Sequence, residues 1–193
     1  MRVLLIHCHP RAESFSAALR DTARQVLEAN GHQVECRDLY AEGFCPALSE
    51  AEHRDYLNPS SHPPDVVDHV AALQRADALL LVYPTWWYGL PAMLKGWFDR
   101  IWAPGIAFKL GDGAIEPLLT NIKRIGVITT YGSPLWLLWV IGWPDKKLIN
   151  RGFRRLCARD CRVEWLMLTR MDQRTAPERA AFLAKVKARL SRW

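Results

Sequence analysis

No stretch of the 193-residue sequence approaches the roughly 18 consecutive apolar residues that a membrane-spanning helix needs. Its longest greasy run, Leu135 to Ile141, is far too short to cross a bilayer, and Val3 to Ile6 is too short for the apolar core of a signal peptide. Cysteine is sparse and unpatterned. The five residues (Cys8, Cys36, Cys45, Cys157, Cys161) form no C-x-x-C pair, so neither a disulfide framework nor a zinc site is indicated. A reduced, cytoplasmic protein is the expectation. Histidine stops at His69; His7 and His9 meet at a strand end without a third ligand, and no metal is expected. There is no G-x-G-x-x-G and no G-x4-G-K-[ST], which removes the dinucleotide fingerprint and the triphosphate loop. Ser133 lies outside any G-x-S-x-G elbow, so an esterase nucleophile is missing as well.

What is present is globular: 50% hydrophobic and 24% charged residues exclude disorder, collagen-like repeats and coiled coil. The length fits one domain spanning residues 1–193. Nine tryptophans are many, and aromatic surface on that scale goes to cores, interfaces or flat ligands. Net charge is +6, with Lys146, Lys147, Arg151, Arg154, Arg155, Arg159 and Arg162 faced only by Asp145 and Asp160. A solvated helix face, a phosphate ligand or a membrane contact would each account for that run. No recognition motif supports nucleic-acid binding.

Short apolar runs alternate with segments of helical period. Strands are expected at Val3–Ile6, Gln33–Asp38, Ala78–Tyr83, Arg124–Thr129 and Arg162–Leu168. Helices are expected from Phe15 to Asn30-Gly31, over Val66–Ala76, from Pro91 to about Ile101, over Lys146–Cys157, and after the Thr175…Glu178 capping box. Tyr40 to Asp65, with Pro46, Pro59, Pro63 and Pro64, reads as a long irregular excursion; Gly105–Thr120 reads as a loop or hairpin with a Gly-Asp-Gly turn. The alternation predicts an α/β fold with a five-stranded parallel sheet of order 2-1-3-4-5 and helices on both faces. Ligands of such sheets bind beyond the carboxyl ends of the strands, where the order reverses. That points to three loops: His9–Ser16, Pro84–Pro91 and Thr129–Pro134.

The first loop runs into a helix, whose N-terminal N–H groups and positive dipole end attract phosphate. Ser14 and Ser16 add hydroxyls, and Ser14 acting only as the helix cap is the plain alternative. In the second, Pro84-Thr85-Trp86-Trp87-Tyr88-Gly89-Leu90-Pro91, stiff backbone beside three aromatics suits a planar heteroaromatic with acceptors along its edge, meaning a flavin. A plug for the sheet end or an oligomer contact would use the same residues. The third loop supplies hydroxyls and a turn glycine.

Cys8-His9-Pro10 with Ser14-Phe15-Ser16, the long motif from Pro84 to Arg100, Gly105-Ile106-Ala107-Phe108, Thr129-Thr130 and the terminal Trp193 together resemble the NAD(P)H:quinone oxidoreductase family of flavodoxin-like flavoproteins. The resemblance implies that His9, Ser14, Phe15 and Ser16 hold the flavin phosphate region. It implies that Pro84, Thr85, Trp86, Trp87, Tyr88 and Gly89 line the ring system, and that Thr129, Thr130 and Gly132 meet its pyrimidine side. It further implies NAD(P)H as electron donor, two-electron transfer by alternating occupancy to a quinone or similar flat acceptor, and a homodimer in which the helix around Leu94–Trp102 gains an apolar partner. The 41–65 excursion resembles that of the FAD-using members, which inclines the cofactor to FAD over FMN. The family's animal enzymes place a histidine after the Thr-Thr segment, which this sequence cannot do. Trp87, Tyr88 and Tyr131 are the candidate catalytic residues, Tyr131 standing in for that histidine. A second class, suggested by some relatives and by the apolar lip at Trp136–Trp143 beside basic residues, is a regulatory flavoprotein subunit docked to a membrane potassium-efflux system; an apolar lip over a quinone pocket explains the same residues and is preferred.

Overall fold

The computed structural model describes residues 1–58, 62–111 and 113–193; Pro59 and Asp112, both named above, lie outside the described residues. Five parallel strands form the sheet: β1 (Arg2–His7), β2 (Gln33–Asp38), β3 (Ala78–Pro84) and, after a small antiparallel hairpin of β4 (Phe108–Leu110) and β5 (Ile115–Pro117), β6 (Arg124–Thr130) and β7 (Arg162–Leu168). Their spatial order is β2-β1-β3-β6-β7. With the hairpin set aside this is the expected 2-1-3-4-5 sequence of a flavodoxin-like fold, with helices on both sides.

Side chains of successive strand residues point to opposite faces, so a strand covered on both sides must be apolar throughout. All seven residues of β3 are buried. Leu4, Ile6, Leu79, Leu81, Ile125 and Val127 join one core cluster with the inner sides of α3 (Pro64–Arg75) and α4 (Ala92–Ile101). Val3, Leu5, Leu80, Val82 and Ile128 join the opposite cluster, against α1 (Phe15–Ala29) and α7 (Ala176–Leu190). Burying each such aliphatic side chain is worth about 1.5–3 kcal/mol, which makes this double layer the main source of stability.

The helix ends follow their local chemistry. Ser14 caps α1 by accepting from the N–H of Ala17 at 3.1 Å, and Asn30 ends it. Thr175 and Glu178 form the reciprocal capping box that opens α7. The excursion after β2 contains a short helix that the sequence pattern did not suggest, α2 (Glu50–Arg54), with its own Ser49–Glu52 capping box. That excursion is tied down by Arg100 of α4. Its buried guanidinium donates to Asp65 Oδ2 and Oδ1 at 2.7 and 2.9 Å, to Glu52 Oε1 at 2.7 Å and to the Cys45 carbonyl at 2.7 Å.

One expectation is corrected. Lys146–Cys157 is not one α-helix: a single turn, α6 (Pro144–Lys147), loosens into a π-helical turn over Leu148–Gly152 and tightens into a 3₁₀ turn over Phe153–Leu156. Ahead of it the greasy run forms a helix, α5 (Leu135–Ile141), closed by Gly142 at φ +84°. Within the chain α4 turns Leu94, Trp97, Phe98 and Ile101 into the core, where Phe98 stacks on Phe153 at 4.0 Å, and leaves Ala92, Lys95 and Asp99 exposed on its other side.

Candidate active site

Because β1 leaves toward β2 on one side while β3 lies on the other, the carboxyl ends of β1 and β3 open a crevice. A cleft of about 1170 Å³ occupies it. Of the residues expected to bind cofactor, His9, Ser14, Phe15, Ser16, Pro84, Thr85, Trp86, Trp87, Tyr88, Thr130 and Gly132 line this cleft, as does Tyr131. Thr129 and Gly89 stand behind the lining. Thr129 is fully buried, its hydroxyl 2.8 Å from that of Thr85, and Gly89 closes the turn by donating its N–H to the Trp86 carbonyl at 3.0 Å.

On one wall, α1 presents its N-terminus with no acidic residue in the first turn to cancel the dipole. The Ser14 side chain is the cap. Ser16 Oγ is different: it is buried, lies on the cleft and has no hydrogen-bond partner among the described residues. An unpaired buried hydroxyl costs about 1–3 kcal/mol, and an acceptor in the cleft would relieve that cost. His9 is held at the mouth, its Nδ1 accepting from the N–H of Arg11 at 3.0 Å, with its ring 6.5 Å from that of Trp86.

The opposite wall is a tight turn from Trp86 to Gly89. Its two central residues, Trp87 and Tyr88, both adopt left-handed backbone angles, φ +50° and +61°. That geometry belongs to the two-residue turns that Asn and Gly normally supply. For bulky L residues it costs roughly 1–3 kcal/mol each and persists only where the surroundings enforce it. Here Pro84 and Pro91 stiffen both flanks. The Thr85 N–H is fixed to the Thr130 carbonyl at 2.8 Å, and the Tyr88 hydroxyl accepts from Ser133 Oγ at 3.2 Å. Trp87 itself is 96% exposed. The strain therefore serves to hold an indole out beside the cleft rather than to pack it.

At the cleft floor Tyr131 is buried and its hydroxyl donates to Asp145 Oδ2 at 2.7 Å. Burial, and then the neighbouring Asp145 carboxylate, push the phenol pKa up, while burial pushes that of Asp145 up against the pull of the Tyr131 hydroxyl and the Lys146 N–H. Tyr131 thus keeps its proton and donates it in that hydrogen bond to Asp145. Asp145 is no counter-charge for the basic run. It is an interior acceptor that Thr85 Oγ1 also approaches, at 3.4 Å.

The cleft also takes in Met171, Asp172 and Arg179, which the sequence reading did not single out. They follow β7, and the rule that ligands sit at carboxyl strand ends applies to that loop too. Gly132 lies close beneath Asp172: a Cβ on it would stand 2.9 Å from Asp172 Oδ2, an exposed carboxylate that could swing aside.

The molecule is thus a parallel α/β sheet whose cleft sits at the reversal of strand order, between a helix N-terminus and an aromatic turn. The family model described as "Flavodoxin-like fold" matches residues 1–192. The chain belongs to that family, and its relatives include proteins named NAD(P)H oxidoreductases. It is 37% identical over 158 residues to an uncharacterized NAD(P)H oxidoreductase of Escherichia coli, covering 81% of this chain and 76% of that protein. It is 38% identical over 134 residues to an uncharacterized NAD(P)H oxidoreductase of Haemophilus influenzae, covering 69% of this chain and 65% of that one, so the aligned part spans less than two thirds of that relative's length. The solved NAD(P)H:quinone oxidoreductase of Methanothermobacter marburgensis superposes with a TM-score of 0.82 at 28% identity, over 99% of this chain and 96% of its own.

Proposed function

We propose that residues 1–193 act as one flavin-dependent NAD(P)H oxidoreductase unit, passing two electrons to a quinone or similar flat acceptor. The observation that carries this reading is the cleft itself: a strained, proline-braced aromatic turn faces a helix N-terminus where the buried Ser16 hydroxyl lacks a partner among the described residues. Those features fit a flavin. Ser14, Ser16, Phe15 and His9 would hold its phosphate, Pro84 to Tyr88 its ring, and Thr130 with Gly132 its pyrimidine edge. When bound, the flavin supplies reversible hydride acceptance. The chain's own work is positional, because stacked reactants at near-attack distance need little side-chain acid. Trp87 and Tyr88 wall the space in which donor and acceptor take turns, which is a ping-pong scheme. Thr129, Gly89, Tyr131 and Asp145 act behind them, keeping Thr85 and the turn in place.

FAD remains favoured over FMN on the length of the excursion. A homodimer that meets at the helix around Leu94–Trp102 is part of the proposal. The regulatory-subunit reading draws on the exposed tryptophans of α5. Purified protein should release a yellow compound on heating, whose mass identifies the flavin, and should oxidise NAD(P)H with a quinone to give parallel initial-rate lines. Preparations that stay colourless and cannot be loaded with either flavin would overturn the enzyme reading. Weak turnover that rises only with a membrane partner would favour the subunit.

A further inference from the structure

We infer that α5 and the basic turns after it form a docking surface for an anionic lipid bilayer. This goes beyond the proposed oxidoreductase reaction and does not depend on the cleft being loaded.

In α5, Leu138 points inward against Tyr131 and Trp143, while Trp136, Trp139 and Val140 are 62, 70 and 74% exposed. Three large apolar side chains on one short helix are more than scattered surface hydrophobics. They continue into charge by direct contact. Trp139 meets Trp143 edge-on at 5.8 Å, and the Lys146 ammonium lies 5.1 Å from the Trp143 ring centre. The Lys147 ammonium sits over Gly142, 2.9 Å from where a Cβ would be. Beyond them Arg151, Arg154 and Arg155 are exposed. Between Gly132 and Arg159 the sequence holds a single carboxylate, Asp145, and it is buried on Tyr131 rather than offsetting these cations.

Charge decides the occupant. A two-fold contact between copies of this chain would set the face against itself and bring lysine toward lysine with no acid in the segment to answer. A bilayer carrying anionic headgroups matches both halves of the surface. Indoles prefer the headgroup layer, an apolar helix face beds in it, and nearby lysines and arginines add attraction that salt screens.

The test is flotation of the purified full chain with vesicles of mixed phosphatidylglycerol and phosphatidylcholine, against vesicles of phosphatidylcholine alone. The protein should float with the anionic vesicles, with its tryptophan emission shifted to the blue, and should be released by salt. Trp136→Ser with Trp139→Ser should lower the partition at least roughly tenfold, and Lys147→Gln roughly fivefold. These side chains are exposed, so a thermal midpoint matching the parent identifies a folded variant. No flotation with anionic vesicles overturns the proposal, as does flotation that both variants leave unchanged. Conversion of a dimer to a monomer by the serine pair, without vesicle binding by the parent, would assign the face to a second copy instead.

Discussion

Trp87 sits at φ +50° with 96% of its surface exposed, so its side chain returns almost no packing energy for the backbone it distorts. Glycine occupies that region without penalty. Trp87→Gly should therefore leave the fold as stable or raise it by about 1 kcal/mol, while NAD(P)H turnover falls sharply. Thermal midpoints beside steady-state rates check both halves. A destabilised variant with normal turnover would mean that the indole is structural. The aromatic turn was legible in sequence because prolines bracket three adjacent rings. Its left-handed angles were not, since Asn and Gly are the residues that advertise them. The interior parts of Asp145 and Arg100 were hidden for a related reason. A charged residue in a charged run reads as solvated, and only tertiary contacts reveal that Tyr131 claims the one and that Glu52 and Asp65 claim the other.

Between elements, one histidine joins three segments. His69 of α3 accepts the indole N–H of Trp97 in α4 through Nδ1 at 3.2 Å, and its Nε2 lies 3.3 Å from Glu42 Oε2 in the excursion. Nδ1 can accept only while unprotonated, so the network selects the neutral ring. Burial first, then the Arg37 charge, lowers the His69 pKa from 6.5 to about 4. The folded protein thus refuses a proton that the unfolded chain accepts between those values. Stability should be full above pH 6.5 and decline by roughly 3 kcal/mol as the pH falls to about 4. Urea midpoints across that range should show the slope, and His69→Gln should flatten it; an unchanged slope in that variant would place the titration elsewhere. Elements with a plain period or a continuous apolar run were legible, which covers the five sheet strands and the long helices. α5 was not, because Leu135 to Ile141 has no polar face to mark a helical period. The segment after it keeps a helical spacing in sequence, yet left-handed Gly142 and Trp143 re-aim the chain and Gly152 ends the π-helical turn.

At the scale of the whole molecule, Trp193 follows α7 and folds back over the sheet. Its indole N–H donates to Glu164 Oε2 of β7 at 2.9 Å, and the Arg124 guanidinium lies 5.1 Å from its ring. Its far edge rests on Gly126 of β6, where an added Cβ would come within 2.6 Å of the ring and 2.7 Å of Leu80 Cδ1. Glycine in a buried strand ordinarily weakens it; at Gly126 it makes room for an indole that joins two strands to the last helix. Gly126→Ala should cost about 1–3 kcal/mol by overpacking, and Trp193→Ala about 2–3 kcal/mol by lost contacts. The two should not add, because removing the indole frees most of the space that the new methyl needs. A coupling of roughly 1 kcal/mol or more in the double-mutant cycle is expected. Strict additivity in chemical denaturation would mean that the clash with Leu80 alone governs Gly126, and that the packing of α7 on the sheet is independent of the strand beneath it.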